Sequence, residues 1–265
     1  MTSSHQHTPV VHAVWIGDTL GTIGAACLKS FRNNGHHVKL HAYGKITDLP
    51  EGVELSDANK IINEREVFRH SASGSYAMFS DIFRYQLLRK EGGIYIDCDI
   101  FCIERITIPE NEYLFGFEDD ENINNAILAM PKKSQLLEAL IDTTQNNAFI
   151  PPWLKKSKKS KIKIKRALKG KVDKRELPLT TFGPNLVTHF VQKLGIKKSG
   201  QPADVFYPVP AERVSMLLDQ GLSLTEISTA RTKAIHLFNE KLKHHDLRNI
   251  PPSSPLGKLI SNNKD

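Results

Sequence analysis

The stretch SYAMFSDIFRYQLLRKEGGIYIDCD, residues 75–99, decides the fold. Met78, Ile82, Tyr85 and Leu88 recur three and four residues apart, the spacing that lines one face of an α-helix, and predict a helix over residues 75–91. Gly92-Gly93 ends it, because glycine takes the left-handed backbone of a helix C-terminus without steric cost. Ile94-Tyr95-Ile96-Asp97 then starts a strand.

The same alternation extends in both directions. Residues 10–16 form a short apolar run closed by Gly17, residues 20–31 suit a packed helix, and residues 38–43 repeat the strand signal before a loop over residues 44–54. Strands fit residues 113–117 and 126–130, helices fit 134–143 and 184–194, and short segments lie around 205–207 and 234–237. The order predicts an α/β fold, and at 265 residues with 40% hydrophobic content the chain can bury one large core. A Pro-Pro start and a lysine-rich run interrupt it at about 151–178, and the chain from about 251 reads as an irregular tail.

Composition narrows the function classes. No stretch approaches the roughly 20 apolar residues of a membrane-spanning helix, and the opening residues 1–10 are polar rather than signal-like, so a cytoplasmic, unexported protein is expected. Cys27, Cys98 and Cys102 are odd in number and lack paired spacing, which disfavours a disulfide framework or a zinc site. The net charge is +7, yet residues 155–175 hold twelve Lys/Arg against one Asp, a local surplus of +11 that leaves −4 for the rest. Basicity is therefore a property of one segment.

In a strand, alternate side chains face opposite ways, so Tyr95, Asp97 and, if the extended chain continues, Asp99 share one face while Ile94, Ile96 and Cys98 share the other. Two carboxylates at the end of a buried strand repel and lose hydration, and a divalent cation, Mn²⁺ or Mg²⁺, offsets that cost. Such an ion also bridges diphosphate oxygens, and in open α/β sheets ligands sit beyond the carboxyl ends of strands. A D-x-D alone is weak, since acidic pairs in loops are usually only solvated. Asp81 and Arg84, one turn apart on the preceding helix, add context, with a surface ion pair as the plain alternative.

Taken together, Ser80-Asp81-Ile82-Phe83-Arg84-Tyr85 and Gly92-Gly93-Ile94-Tyr95-Ile96-Asp97-Cys98-Asp99 resemble the sugar-binding DXD region of family 32 type glycosyltransferases. Val14-Trp15-Ile16-Gly17 resembles the first strand of that family, and Ile123-Asn124-Asn125-Ala126-Ile127-Leu128, Phe182-Gly183-Pro184 and Ala234-Ile235-His236-Leu237-Phe238-Asn239 resemble its later segments. The resemblance implies a single GT-A-like catalytic domain over residues 1–265, with a mixed, mostly parallel sheet flanked by helices. It implies that Asp99 and His236 bind the metal, Asp97 through water, with Asn239 a weaker candidate. It also places Trp15, Ile16, Gly17, Ser80, Asp81, Arg84, Tyr95, Asp97 and Asn125 around the donor, with Asp97, Asp99 and Arg84 carrying catalysis. Phe238 departs from the family, which usually has Trp there; aromatic bulk is kept and an indole N–H is lost.

Structural alternatives stand beside these roles. Trp15 is an ordinary core aromatic, His236 a buried hydrogen-bonded histidine, Asn124-Asn125 a turn, and residues 118–121 a solvated acidic loop.

The implied activity is retaining transfer from a UDP- or GDP-sugar to a glycan acceptor in surface polysaccharide (capsule) biosynthesis, the acceptor being lipid-linked in one version. No separate base is implied. An effector or toxin-type transferase acting on a host protein is the alternative enzyme reading. A noncatalytic nucleotide-sugar or anionic-membrane binding protein is the alternative outside enzymes. Residues 155–175 suit peripheral contact with the inner membrane face; a solvated mobile insertion is the alternative, and nucleic-acid binding ranks below both because no recognised module accompanies the lysines.

Overall fold

The computed structural model describes residues 8–261. The polar opening through residue 7 and the last four residues of the tail lie outside them. Along the chain run β1 (Val11–Trp15), α1 (Gly21–Asn33), β2 (Val38–Ala42), β3 (Glu54–Asp57), α2 (Ala77–Lys90), β4 (Ile94–Ile96), β5 (Ile100–Cys102), β6 (Leu114–Phe117), β7 (Ile123–Ala129) and α3 (Gln135–Gln145). There follow α4 (Lys156–Lys169), α5 (Pro184–Lys193), α6 (Ala203–Phe206), β8 (Ala234–His236), α7 (Asn239–Leu242) and α8 (Pro255–Ser261).

Six strands form one sheet in the order β3-β2-β1-β4-β7-β6. The first four are parallel, β7 runs against β4, and β6 runs against β7, which is the mixed, mostly parallel α/β architecture expected of a GT-A fold. Each face is covered by helices. Ile94 and Ile96 pack with Leu28 and Phe31 of α1, whereas Tyr95 packs with Phe79, Phe83 and Leu87 of α2 and with α3 and α5, so the predicted alternation along β4 holds.

The α2–β4 junction depends on its two glycines. Gly92 and Gly93 have φ of +74° and +73°, and a Cβ on Gly93 would lie 2.4 Å from the Val10 carbonyl oxygen. Chain reversal and close approach to β1 both require glycine here. This places the C-terminal end of β4 beside the C-terminal end of β1.

Four expectations need correction. The strand does not continue through Asp99: the last ladder bond is Asp97 N–H to the Ala126 carbonyl, and Ile100 N–H then closes a turn onto the Asp97 carbonyl. That turn frees β5 to leave the sheet and pair with β8, setting Ile100 opposite His236. Second, residues 54–57, outside any predicted strand, form edge strand β3, held by parallel pairing with β2 rather than by an apolar pattern of their own. Third, Asn124 and Asn125 lie buried within β7, not in a turn. Finally, the tail from about 251 is not wholly irregular, because α8 packs Leu256 and Leu259 against Ile23, Cys27 and Leu217.

The lysine-rich insertion folds as α4, whose Lys, Arg, Ala and Leu are strong helix formers, and Gly170 ends it in the left-handed conformation. No α4 side chain is buried. All three cysteines are free and buried. No helix among the described residues is long and apolar enough to cross a membrane.

Candidate active site

Arg84 reaches the site from α2, and packing against β4 and β7 leaves it only 3% exposed. Its guanidinium touches the carboxylates of Asp81 (3.1 Å) and Asp97 (3.0 Å), donates to the Asn125 carbonyl, and lies 4.5 Å over the Tyr95 ring. The Asp81–Arg84 pair is thus buried rather than a surface ion pair. A buried cation is tolerable only when fully paired, and the adjoining carboxylates strengthen its hold on its proton.

The neighbouring groups extend this network. Asn125 donates to Asp81 Oδ1 at 2.9 Å, and Ser80 shares a 3.0 Å hydrogen bond with the Tyr95 hydroxyl, which donates to Asp97 Oδ1 at 3.0 Å. Burial lifts the Asp81 carboxyl to about 6, against the pull of Arg84. Ser80, Asp81, Arg84, Tyr95, Asp97 and Asn125, six of the expected donor residues, therefore form one connected cluster. Trp15, Ile16 and Gly17 stand at the end of β1, where the Trp15 indole N–H donates to the Thr19 carbonyl at 2.8 Å. Trp15 is half-buried against the core, combining the structural role with an open edge.

Asp99 belongs to the second half of the site. Its Oδ1 lies 3.3 Å from His236 Nε2, its Oδ2 accepts the Asn239 backbone N–H at 2.9 Å, and its carbonyl accepts the Leu237 N–H. Asn239 is held at the site through its backbone. The side chains of Asp97 and Asp99 remain 29% and 22% exposed, making them the open members of an otherwise buried cluster. Burial, reinforced by the Asp99 charge, raises Asp97 above the usual carboxylate range despite Arg84. Asp99 behaves oppositely: burial is outweighed by His236 and the Asn239 N–H, which hold it below that range. Burial also acts against charge on His236, but Asp99 prevails and raises it.

Tyr207 escaped sequence reasoning, and Phe238 and Gly183, singled out only within segments of the resemblance, take specific places at the site. Tyr207 packs edge-on to His236 and donates to the Asn124 carbonyl at 3.4 Å; no local pattern marks it. Phe238 stacks on His236 at 3.8 Å from a left-handed backbone, φ +48°. Gly183 lies so close to Asp81 that a Cβ would be 2.6 Å from Oδ2, so the Gly-Pro segment seals that carboxylate. The acidic loop touches the same region through Glu118, which accepts from Asn124.

Among the described residues no three His, Cys, Asp or Glu side chains close a metal site by themselves. Asp99 and His236 nevertheless offer a carboxylate oxygen and an imidazole nitrogen at one point, a donor set that suits Mn²⁺ or Mg²⁺ when phosphate oxygens and water complete the shell.

Residues 28–115 match the family described as "Glycosyltransferase sugar-binding region containing DXD motif", a span holding α2, β4 and both carboxylates. "Subversion of eukaryotic traffic protein A" of Legionella pneumophila subsp. pneumophila is 24% identical over 210 residues, covering 70% of this chain and 32% of that protein. The chain thus spans about a third of the curated relative's length. Among solved structures, the ligand-free glycosyltransferase domain from the YGT toxin is 12% identical with a TM-score of 0.52, covering 80% of this chain and 84% of that one. The PaToxG glycosyltransferase is 16% identical over 72% of each chain, with a TM-score of 0.47. Residues 28–115 therefore resemble a DXD glycosyltransferase sugar-binding region, set on a GT-A fold.

Proposed function

We propose that the chain transfers a sugar from a UDP- or GDP-sugar to an acceptor with retention of configuration, using Mn²⁺ or Mg²⁺ held by Asp99 and His236 directly and by Asp97 through water. One observation carries this: two part-open carboxylates stand side by side, one keyed to the buried Arg84 network and the other to His236. When bound, the cation supplies charge neutralisation for a departing nucleoside diphosphate.

The residues divide that task. Arg84 and Tyr95 fix the Asp97 carboxylate, so its orientation is set before donor arrives. Asp81, locked by Arg84 and Asn125 and covered by Gly183, acts on the donor side through Arg84, whose guanidinium it holds against Asp97. Trp15 and Tyr95 frame the nucleoside side, with Ile16 and Gly17 shaping the adjoining turn. The network holds no free residue poised as base, which agrees with same-face attack in which the leaving phosphate takes the acceptor proton and catalysis rests on positioning and electrostatics.

Two acceptor classes remain in play. A glycan acceptor in surface polysaccharide assembly rests on the sequence resemblance. A protein acceptor, as for an effector or toxin-type transferase, is supported by the names of the Legionella relative and of the YGT toxin domain.

A panel of UDP- and GDP-sugars, each with and without Mn²⁺, tests the donor half through thermal unfolding and donor hydrolysis. One donor stabilises the fold only with metal, by about 2.7 kcal/mol at a hundredfold excess over Kd, and is slowly hydrolysed. Absence of metal-dependent stabilisation by every donor overturns the reading. Labelled donor offered beside eukaryotic lysate proteins and beside bacterial glycans then separates the acceptor classes.

A further inference from the structure

We propose that α4 is a docking surface for an anionic lipid bilayer. The helix contributes little to the core: none of its side chains is buried, only Lys159 and Ile162 are half-covered, and Ile162 alone among its apolar residues packs against the core. Among the described residues three large apolar side chains are exposed, and two of them, Ile164 at 62% and Leu168 at 83%, lie here. They stand four residues apart and so share one outward helical face. Ser160, Lys161 and Ala167 border them, all exposed.

Charge selects the occupant. Glu176 pairs with Lys165 and Lys169 at 2.8 Å each, fastening α4 to the body through its cavity side. The remaining surplus sits at exposed Lys156, Lys158, Lys161, Lys163 and Arg166 and half-covered Lys159, of which Lys158, Lys161 and Arg166 also line the cavity. Between α4 and residues 171–178 lies a cavity of about 420 Å³ with Leu154, Ile162 and Leu177 on its walls and Lys161 at its rim. Lysines interleaved with exposed Ile and Leu require a partner offering negative charge and an apolar layer at one surface. An anionic bilayer provides both, whereas a nucleic acid offers phosphate without oil within reach of Leu168.

This inference is independent of the sugar chemistry, and its test uses no donor. The full chain is floated with vesicles of phosphatidylcholine alone and with about one third phosphatidylserine, at low salt and at about 0.5 M salt. Binding to the anionic vesicles alone is expected, and it weakens strongly at high salt. The Lys156→Gln/Lys158→Gln/Lys161→Gln/Lys163→Gln variant loses about a thousandfold in partitioning, and Ile164→Ser/Leu168→Ser loses about a hundredfold. Both variants keep the parent's thermal midpoint, because every replaced side chain is exposed; should either unfold early, the salt response of the parent reads the charge contribution instead. Failure to bind anionic vesicles, equal binding to neutral ones, or unchanged partitioning of folded variants overturns the proposal. So does tight binding of a duplex oligonucleotide that is unaffected by Ile164→Ser/Leu168→Ser and abolishes vesicle binding.

Discussion

His236 Nε2 stands 3.3 Å from Asp99 Oδ1, so the last third of the chain completes a site that the D-x-D turn only begins. Asp99→Asn removes the charge that faces this ring while keeping its shape. Metal-dependent stabilisation by the donor is expected to vanish in Asp99→Asn, and turnover to fall by about a hundredfold or more in both Asp99→Asn and Asp97→Asn. The fold favours Asp99 as an anion, so Asp99→Asn should also lower stability somewhat without donor, and circular dichroism checks that both variants stay folded. Metal-dependent turnover at parental rate in both variants rejects the assignment.

Phe238 acts on the same ring from the other side. The buried Nδ1 of His236 has no hydrogen-bond partner, so the stacked Phe238, rather than a second-nitrogen hydrogen bond, sets the ring plane. Supports of metal-binding histidines commonly contribute tenfold to a hundredfold in affinity. Phe238→Ala is therefore expected to weaken Mn²⁺ affinity about tenfold, read by titration in the presence of nucleoside diphosphate, and Phe238→Trp to restore it. Equal affinities in all three proteins would show that the stack does not position the ring.

Removing Arg84 leaves buried Asp81 without its cation. Arg84→Met should lower unfolding free energy by about 3–5 kcal/mol, and Asp81→Asn added to it should recover part of that loss, because the stranded charge goes with it. Urea unfolding of the single and double variants decides. A double variant less stable than Arg84→Met would place the cost in lost packing instead.

These relationships were unequally legible in the sequence. The three-and-four spacing in α2, the Gly-Gly break and the carboxylate pair are local signals, so α2, β4, Asp81, Arg84 and Asp97 could be placed from neighbours alone. β3 could not: Glu54-Leu55-Ser56-Asp57 has no buried face, and its strand character comes from pairing with β2. Leu256 and Leu259 carry a helical signal three residues apart, masked by Pro251, Pro252 and the serines before them. Tyr207 and Phe238 reach the site through tertiary packing and a left-handed turn, neither of which local periodicity encodes.

Gly183 tests the seal over Asp81. Its φ is −91°, so no left-handed backbone adds to the crowding of Asp81. Gly183→Ala places a Cβ 2.6 Å from Asp81 Oδ2 and should cost about 1–3 kcal/mol while raising donor KM. Gly44 meets nothing within 4 Å of a Cβ and has no positive φ, so Gly44→Ala is the neutral control. Equal stability of the two variants would remove the seal.

Acid sensitivity should originate away from the site, at the buried pair His12 and His41. Their ring nitrogens meet at 3.1 Å, an arrangement that needs one neutral nitrogen to accept, and both side chains are 3% exposed. Burial depresses His12 to about 3 and His41 to about 4. Well above pH 6.5, from about pH 7.5, both rings are essentially neutral folded or unfolded and contribute no pH dependence. As pH falls below 6.5 the unfolded chain takes protons that the folded chain refuses, so stability is lost, about 2 kcal/mol per ring by pH 5. Asp81, raised by burial to about 6, works the other way, gaining stability as it protonates, as do the raised Asp97 and His236, so the double histidine variant is what isolates the His12 and His41 contribution. Urea unfolding at pH 7 and 5 should show that His12→Leu/His41→Leu reduces the loss by about 4 kcal/mol relative to the parent. The same pH 7 to 5 difference in both proteins would move the source of acid sensitivity elsewhere, to His36, whose depression to about 4 has the same sign.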